Sequence, residues 1–132
     1  MTVVDTSAWV EFLRGTGSSA HLEVRRLLAN GEPLATTEPI VMEVLAGARD
    51  DDHLRRLRGL ILGCSMLPVA GLADYEQAAA IYRSCRRSGV TIRRLVDCLI
   101  AAVSINAGAT LLHADADFNL IAQHSRLRIA SP

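Results

Sequence analysis

The sequence predicts an α/β domain in which a short, mostly parallel sheet is sandwiched between helices. Three observations carry this. Short apolar runs of strand length alternate with longer amphipathic stretches. Helical segments outnumber strands, so a small sheet must be covered on both faces. Two of the strand-like runs also lead directly into acids at a helix start, Asp5 after Val3-Val4 and Asp115 with Asp117 after Leu111-Leu112. In an open parallel sheet that is the edge where ligands bind.

Taken in order, a β-branched run predicts a strand at 2–4, and amphipathic spacing predicts helices at 8–14 and 19–29. A short strand at 34–36 leads into a helix at 38–48 whose buried arc is Ile40, Val41, Val44, Leu45 and Ala48. A helix at 51–62, a strand at 65–67 and a helix at 72–87 follow. The last part reads as a helix at 94–106, a strand at 110–112, a short helix at 118–123 and a final strand at 127–129. Breakers at Gly15-Thr16-Gly17, Gly31-Glu32-Pro33 and Gly89 separate elements. With no repeat or linker visible, the 132 residues are expected to form one domain, 1–132.

Composition narrows the function classes. No segment has the pattern of a membrane span or secretion signal, and the uncharged stretch 59–73 is broken by Gly63, Pro68 and Gly71, so a cytoplasmic protein without membrane partners is expected. Cys64, Cys85 and Cys98 lack CxxC spacing and sit in apolar surroundings, as reduced structural thiols do. Net charge is zero, which removes any bulk attraction to nucleic acid. All 14 basic residues are arginine, several in pairs such as Arg86-Arg87 and Arg93-Arg94. Arginine's planar fork suits carboxylate and phosphate alike.

The acids carry the chemistry. Asp5 follows an apolar strand and either caps the next helix or points into a site. Glu43 falls at the border of its helix's buried arc, beside Gly47. Asp97 is the single charge in LVDCLIAAV, and a buried carboxylate without a partner costs several kcal/mol. Either the helix dipole with Arg93 or Arg94 satisfies it, or it serves a site. In TLLHADADF, Asp115 and Asp117 are two acids where a cap needs one.

Convergence of Asp5, Glu43, Asp97, Asp115 and Asp117 at one sheet edge demands a cation, since two carboxylates about 4 Å apart repel by roughly 4 kcal/mol at an effective dielectric near 20. All-oxygen ligation favours Mg²⁺ or Mn²⁺ over zinc. His113 and His124 have no zinc spacing, and His113 is expected at a strand end beside the site. The absence of lysine argues against receiver domains and haloacid-dehalogenase-type phosphotransferases, and neither GxxxxGK[ST] nor an N-terminal GxGxxG occurs. Acid-only metal chemistry remains, with phosphodiester hydrolysis the leading candidate.

Four segments in order, VVDTSAWVEFLRG at 3–15, IVMEVLAGA at 40–48, and VDCLIAAVSINAGA running into TLLHADADF at 96–118, resemble the PIN-domain toxin ribonucleases of VapBC toxin–antitoxin systems. The resemblance implies an α/β/α fold, metal-dependent endoribonuclease activity with Mg²⁺ or Mn²⁺, a structured RNA substrate such as tRNA, a cognate antitoxin and a homodimer. By that likeness Asp5, Glu43, Asp97, Asp115 and Asp117 are the catalytic acids. Asp5 and Asp97, then Asp115, hold the metal; Glu43 or Asp117 accepts a proton; Thr6 or Ser7 assists. Arg93 and Arg94 are expected to hold RNA phosphates, and Trp9 and Phe12 either line an antitoxin groove or belong to the core. His113 departs from the family, where many relatives carry threonine. Two rivals are a catalytically silent RNA- or antitoxin-binding module and a DNA-directed or flap nuclease of the same fold.

Overall fold

Val3 and Val4 have no solvent exposure on either face of their strand, which places that strand in the middle of the sheet. In a computed structural model describing residues 1–131, strand β1 (Thr2–Val4) pairs in parallel with β2 (Leu34–Thr36) on one side and β4 (Thr110–Leu112) on the other. Strands β3 (Ser65–Met66) and β5 (Arg128–Ile129) flank these, and every described pairing is parallel. The order β3-β2-β1-β4-β5 reverses direction at β1. The crevice between the C-terminal ends of β1 and β4 is therefore the topological switch point, where parallel sheets bind ligands.

Among the described residues seven helices surround the sheet: α1 (Thr6–Arg14), α2 (Ser19–Ala29), α3 (Glu38–Ala46), α4 (Asp51–Leu62), α5 (Leu72–Arg87), α6 (Leu95–Asn106) and α7 (Ala116–Gln123). The α5–α6 and α1–α2 pairs make the most extensive helix contacts. Helix α6 is buried continuously from Asp97 to Ser104, as its unbroken apolar run predicts. Leu95, in its first turn, is 58% exposed. Trp9, Ile40, Ile61, Ile100, Leu111, Phe118 and Ile121 fill the core.

Element boundaries depart from expectation where an acid acts as a cap. Helix α1 begins at Thr6, two residues early, because Asp5 is extended (φ −68°, ψ 157°) and accepts the Ser7 N–H. Helix α7 begins at Ala116 because Asp115 accepts the Asp117 N–H in the same way. Helix α3 stops at Ala46, short of the predicted Ala48, and the chain passes through Gly47 toward the Asp50 cap of α4. Strand β3 ends one residue early, yet the Leu67 N–H still donates to the Thr36 carbonyl at 2.8 Å.

The core placement predicts that Phe118→Ala costs about 3–5 kcal/mol of folding free energy. Leu72→Ala, at a position 74% exposed, should change stability by less than about 0.5 kcal/mol. Urea denaturation of the two variants measures the contrast.

Candidate active site

Asp5 and Asp97 are both fully buried, one following the central strand and the other in the first turn of α6. Asp5 is held by its neighbours. Its Oδ2 accepts the Ser7 backbone N–H at 2.9 Å and the Ser7 hydroxyl at 2.6 Å. Ser7 Oγ in turn accepts the Ala114 N–H at 2.9 Å, and the Asp5 N–H donates to Leu112 O at 2.9 Å. Two sequence-distant segments, one after each switch-point strand, are thus locked together. Asp5 is cap and site residue at once: Oδ2 ends the hydrogen-bond ladder, while Oδ1 is buried without a partner.

Glu43 reaches the same place from α3. Thr6 donates its hydroxyl to Glu43 Oε1 at 3.1 Å, which fixes the orientation of this acid. Asp115 accepts the Asp117 N–H at 3.0 Å, and its own N–H donates to His113 Nδ1 at 3.1 Å. That bond assigns the proton of His113 to Nε2, which donates to Asn119 Oδ1 at 3.0 Å. The His113 ring packs against Phe118 with centroids 5.4 Å apart. His113 is therefore the strand-end residue expected, and it positions the backbone of Asp115. Asn119 was not anticipated, and no periodic signal in the sequence links it to His113.

Two arginines cross the acids. Arg94 Nη1 donates to Glu43 Oε2 at 2.8 Å and Nη2 to Asp97 Oδ1 at 3.0 Å. Arg93 Nη2 donates to Asp115 Oδ1 at 2.7 Å, while its Nε and backbone N–H both reach Asp117 Oδ2, at 3.2 and 3.0 Å. No three His, Cys, Asp or Glu side chains among the described residues form a ready metal-holding group. All five acids nevertheless meet at the C-terminal edge. A cleft of about 540 Å³, bordered by Thr6, Ser7, Arg93, Arg94, Ala114 and Asp115, opens beside them.

Burial raises the pKa of Asp5, against the lowering effect of its Ser7 hydrogen bonds; Glu43 raises it further and Arg94 lowers it. Burial likewise pushes Asp97 up to about 7, with Arg94 opposing and the Asp5 and Asp115 charges adding to the rise. The Asp97 Oδ2 atom is buried without a partner, as is Asp5 Oδ1. Two orphaned carboxylate oxygens, in a site whose donors are all oxygen, fit a hard divalent cation. The three cysteines are free, and burial raises their thiol pKa values, that of Cys98 to about 12, so none is poised as a nucleophile.

Trp9 is core, 1% exposed and edge-on to Phe12 with centroids 6.1 Å apart. It also forms part of the wall of a second cavity of about 350 Å³, with Val10, Leu13, Val44 and Leu57, that reaches Thr6 and Glu43. Asp74 is a further buried acid, but it lies away from the catalytic edge. It accepts the Ala70 N–H at 2.6 Å and the Asn106 amide at 3.0 Å at the start of α5.

A pKa near 7 for Asp97, above its ordinary 3.8, means that this carboxyl holds its proton more tightly in the folded than in the unfolded state between about pH 4 and 7. The contribution of Asp97 to stability in EDTA should therefore fall as pH rises through that window and level off above it, against the opposite contributions of Glu23, Glu38 and Asp50, whose pKa values are lowered. Asp97→Asn should flatten this slope and raise the melting temperature at pH 8. Thermal melts from pH 4 to 8 check both, and an unfolded Asp97→Asn variant would instead make Asp97 a structural ion-pair residue.

Residues 2–123 match the PIN domain family. The chain is 49% identical over 132 residues to the VapC ribonuclease Mb1587 of Mycobacterium bovis and to ribonuclease VapC11 of Mycobacterium tuberculosis, covering 99% of this chain and 98% of each relative. Among solved structures, VapBC2 from Rickettsia felis bound to a promoter DNA fragment superposes with a TM-score of 0.74 at 16% identity, covering 98% of this chain and 96% of that one. VapC20 of Mycobacterium tuberculosis, a sarcin–ricin loop cleaving toxin, superposes with a TM-score of 0.71 at 21% identity, covering 97% and 99%. The fold, the acids at its switch point and these relatives agree: the chain belongs to the VapC ribonucleases of the PIN-domain family.

Proposed function

We propose that this protein is a metal-dependent endoribonuclease, the toxin of a toxin–antitoxin pair, which hydrolyses a phosphodiester in a structured cellular RNA such as tRNA and so inhibits translation and growth. The observation that carries the reading is the pair of fully buried carboxylates, Asp5 and Asp97, each with an oxygen lacking any partner, beside Glu43, Asp115 and Asp117. Asp5 and Asp97 would hold Mg²⁺ or Mn²⁺, with Asp115 the third ligand. When bound, such an ion lowers the pKa of water and offsets charge developing on the phosphate.

The chain's own residues do the rest. Ser7 fixes Asp5 through Oδ2 and leaves Oδ1 free for ligation. Thr6 orients Glu43 from Oε1, and Glu43 then serves as the acceptor of the attacking water's proton, with Asp117 the alternative. His113 holds the Asp115 N–H, and Arg93 holds Asp117 in the first turn of α7. The cleft bordered by Arg93 and Arg94 accepts the backbone on either side of the scissile bond. Unpaired RNA loops suit such a cleft best, because their backbone can be splayed into it.

The cognate antitoxin would lay an amphipathic helix along the apolar cavity by Trp9, Val10, Leu13 and Leu57, bringing a cation to the acids at its Thr6–Glu43 end. The VapBC toxin–antitoxin complexes of the same fold support such a partner. A homodimer is part of the same proposal and rests on the family likeness, as does a cytoplasmic setting. No helix among the described residues is long and apolar enough to cross a membrane.

Purified protein free of antitoxin should cut total cellular RNA into discrete fragments with Mg²⁺ or Mn²⁺ and leave it intact with EDTA. Asp5→Asn and Asp97→Asn should abolish cleavage, and Glu43→Gln should slow it by a factor on the order of 100. RNA bound equally well with and without EDTA, but never cut by the folded wild type, would instead identify a silent binding module.

A further inference from the structure

Arg94 caps α6 three residues before Asp97, on an extended backbone (φ −125°, ψ 118°) with no side-chain cap of its own. Its long side chain turns inward. The two ends of the guanidinium bridge Glu43 from α3 and Asp97 from α6, and it also acts electrostatically on Asp5. The group is still 46% exposed, so it sits as a cover over the acids. Both fully buried acids on which it acts, Asp5 and Asp97, keep one oxygen without a partner, Oδ1 and Oδ2 respectively.

Arg93 is placed differently. It is 70% exposed, and its Nε and backbone N–H converge on Asp117 Oδ2. Its remaining acid contact is with Asp115 at the rim. The two arginines are not equivalent: Arg93 fastens the start of α7 and holds Asp115 by one bond, whereas Arg94 crosses from Glu43 to the fully buried Asp97.

We propose that Arg94 is the resident counter-cation of the metal-free site, that a divalent ion displaces it from Glu43 and Asp97, and that the freed guanidinium then holds an RNA phosphate in the adjoining cleft. This rests on the metallo-ribonuclease reading of the same acids. A guanidinium and a divalent ion repel at contact distance, and carboxylate oxygens turned toward one are lost to the other. Displacement needs no rearrangement of the core, because Arg94 is half-exposed and already borders the cleft with Thr6, Ser7 and Arg93. The forked group that spans two carboxylates equally suits the oxygens of a phosphate. Metal and RNA binding become reciprocally coupled, each raising the affinity of the other through the same side chain.

Calorimetric titration of Mn²⁺ into the metal-free wild type, Arg94→Gln, Arg94→Lys, Arg93→Gln and Asp5→Asn tests the displacement. Removal of the competitor should tighten Mn²⁺ binding about tenfold in Arg94→Gln, a change worth about 1.4 kcal/mol. Arg93→Gln, which releases only Asp115 among the proposed ligands, should tighten it less than Arg94→Gln does, and Arg94→Lys, which keeps the charge without the fork, should fall between wild type and Arg94→Gln. Fluorescence anisotropy with a cleavage-resistant phosphorothioate oligouridylate tests the coupling: Mg²⁺ should improve wild-type binding severalfold more than that of Arg94→Gln. Mn²⁺ affinity equal in wild type and Arg94→Gln, or raised equally by Arg93→Gln, would overturn the displacement. No Mn²⁺ binding by wild type, or none lost in Asp5→Asn, would overturn the metal reading beneath it.

Discussion

The concentration of carboxylates at the β1–β4 switch point is the constraint to which the rest of the site answers. Asp5 and Asp97 are removed from water altogether, and Glu43, Asp115 and Asp117 are close enough to share two arginines. Like charges about 4 Å apart at an effective dielectric near 20 repel by roughly 4 kcal/mol, a large fraction of the 5–15 kcal/mol that holds a domain together. The fold tolerates this because each acid is tied from one side. Ser7 and Thr6, consecutive in the first turn of α1, hold Asp5 and Glu43; His113 and Arg93 hold the Asp115–Asp117 turn.

Those ties work only because the elements beneath them do not move. Helix α6 is buried on every side from Asp97 to Ser104, so its first turn presents Asp97 from a fixed platform. Phe118, one residue beyond Asp117, is fully buried and anchors the other acidic turn. Precise chemistry at the edge is thus underwritten by apolar packing directly behind it, which is what a preorganised site requires. Caps contribute twice: Asp5 and Asp115 start α1 and α7 while belonging to the proposed active site, so helix placement and acid placement are the same structural event.

This dual use explains what was legible in the chain and what was not. The acids stood out because a charge inside an apolar run, as in LVDCLIAAV, has no structural reason to be there without a partner. Element order followed from hydrophobic periodicity, and the helix starts were misplaced by about two residues where a site acid doubles as the cap. Arginine orientation was beyond reach. A pair on a helix boundary reads equally as solvated, acid-bound or phosphate-bound, and only the tertiary placement of Glu43 across from Asp97 decides it. Asp74 shows the converse: in LADYEQ it looks like an ordinary first-turn acid, yet it is buried and fully occupied by Ala70 and Asn106.

At two of the chain's fourteen arginines, Arg93 and Arg94, the same electrostatics favours a guanidinium over an ammonium. A lysine ammonium is a compact point charge that can neutralise one carboxylate well, whereas a planar fork can span two carboxylates carried by different helices. Arg94 does this between α3 and α6, and Arg93 joins the segment before α6 to the start of α7. Each guanidinium is therefore a crosslink as well as a counter-charge. With zero net charge the protein has no field to draw RNA from a distance, so recognition falls to short-range contacts in the cleft. The cations proposed to meet RNA phosphates there are the same groups that pair with the acids in its absence. On the proposed reading, each state of the site is stabilised by a partner that the other state must release, and catalytic competence would be tied to the arrival of metal and substrate together.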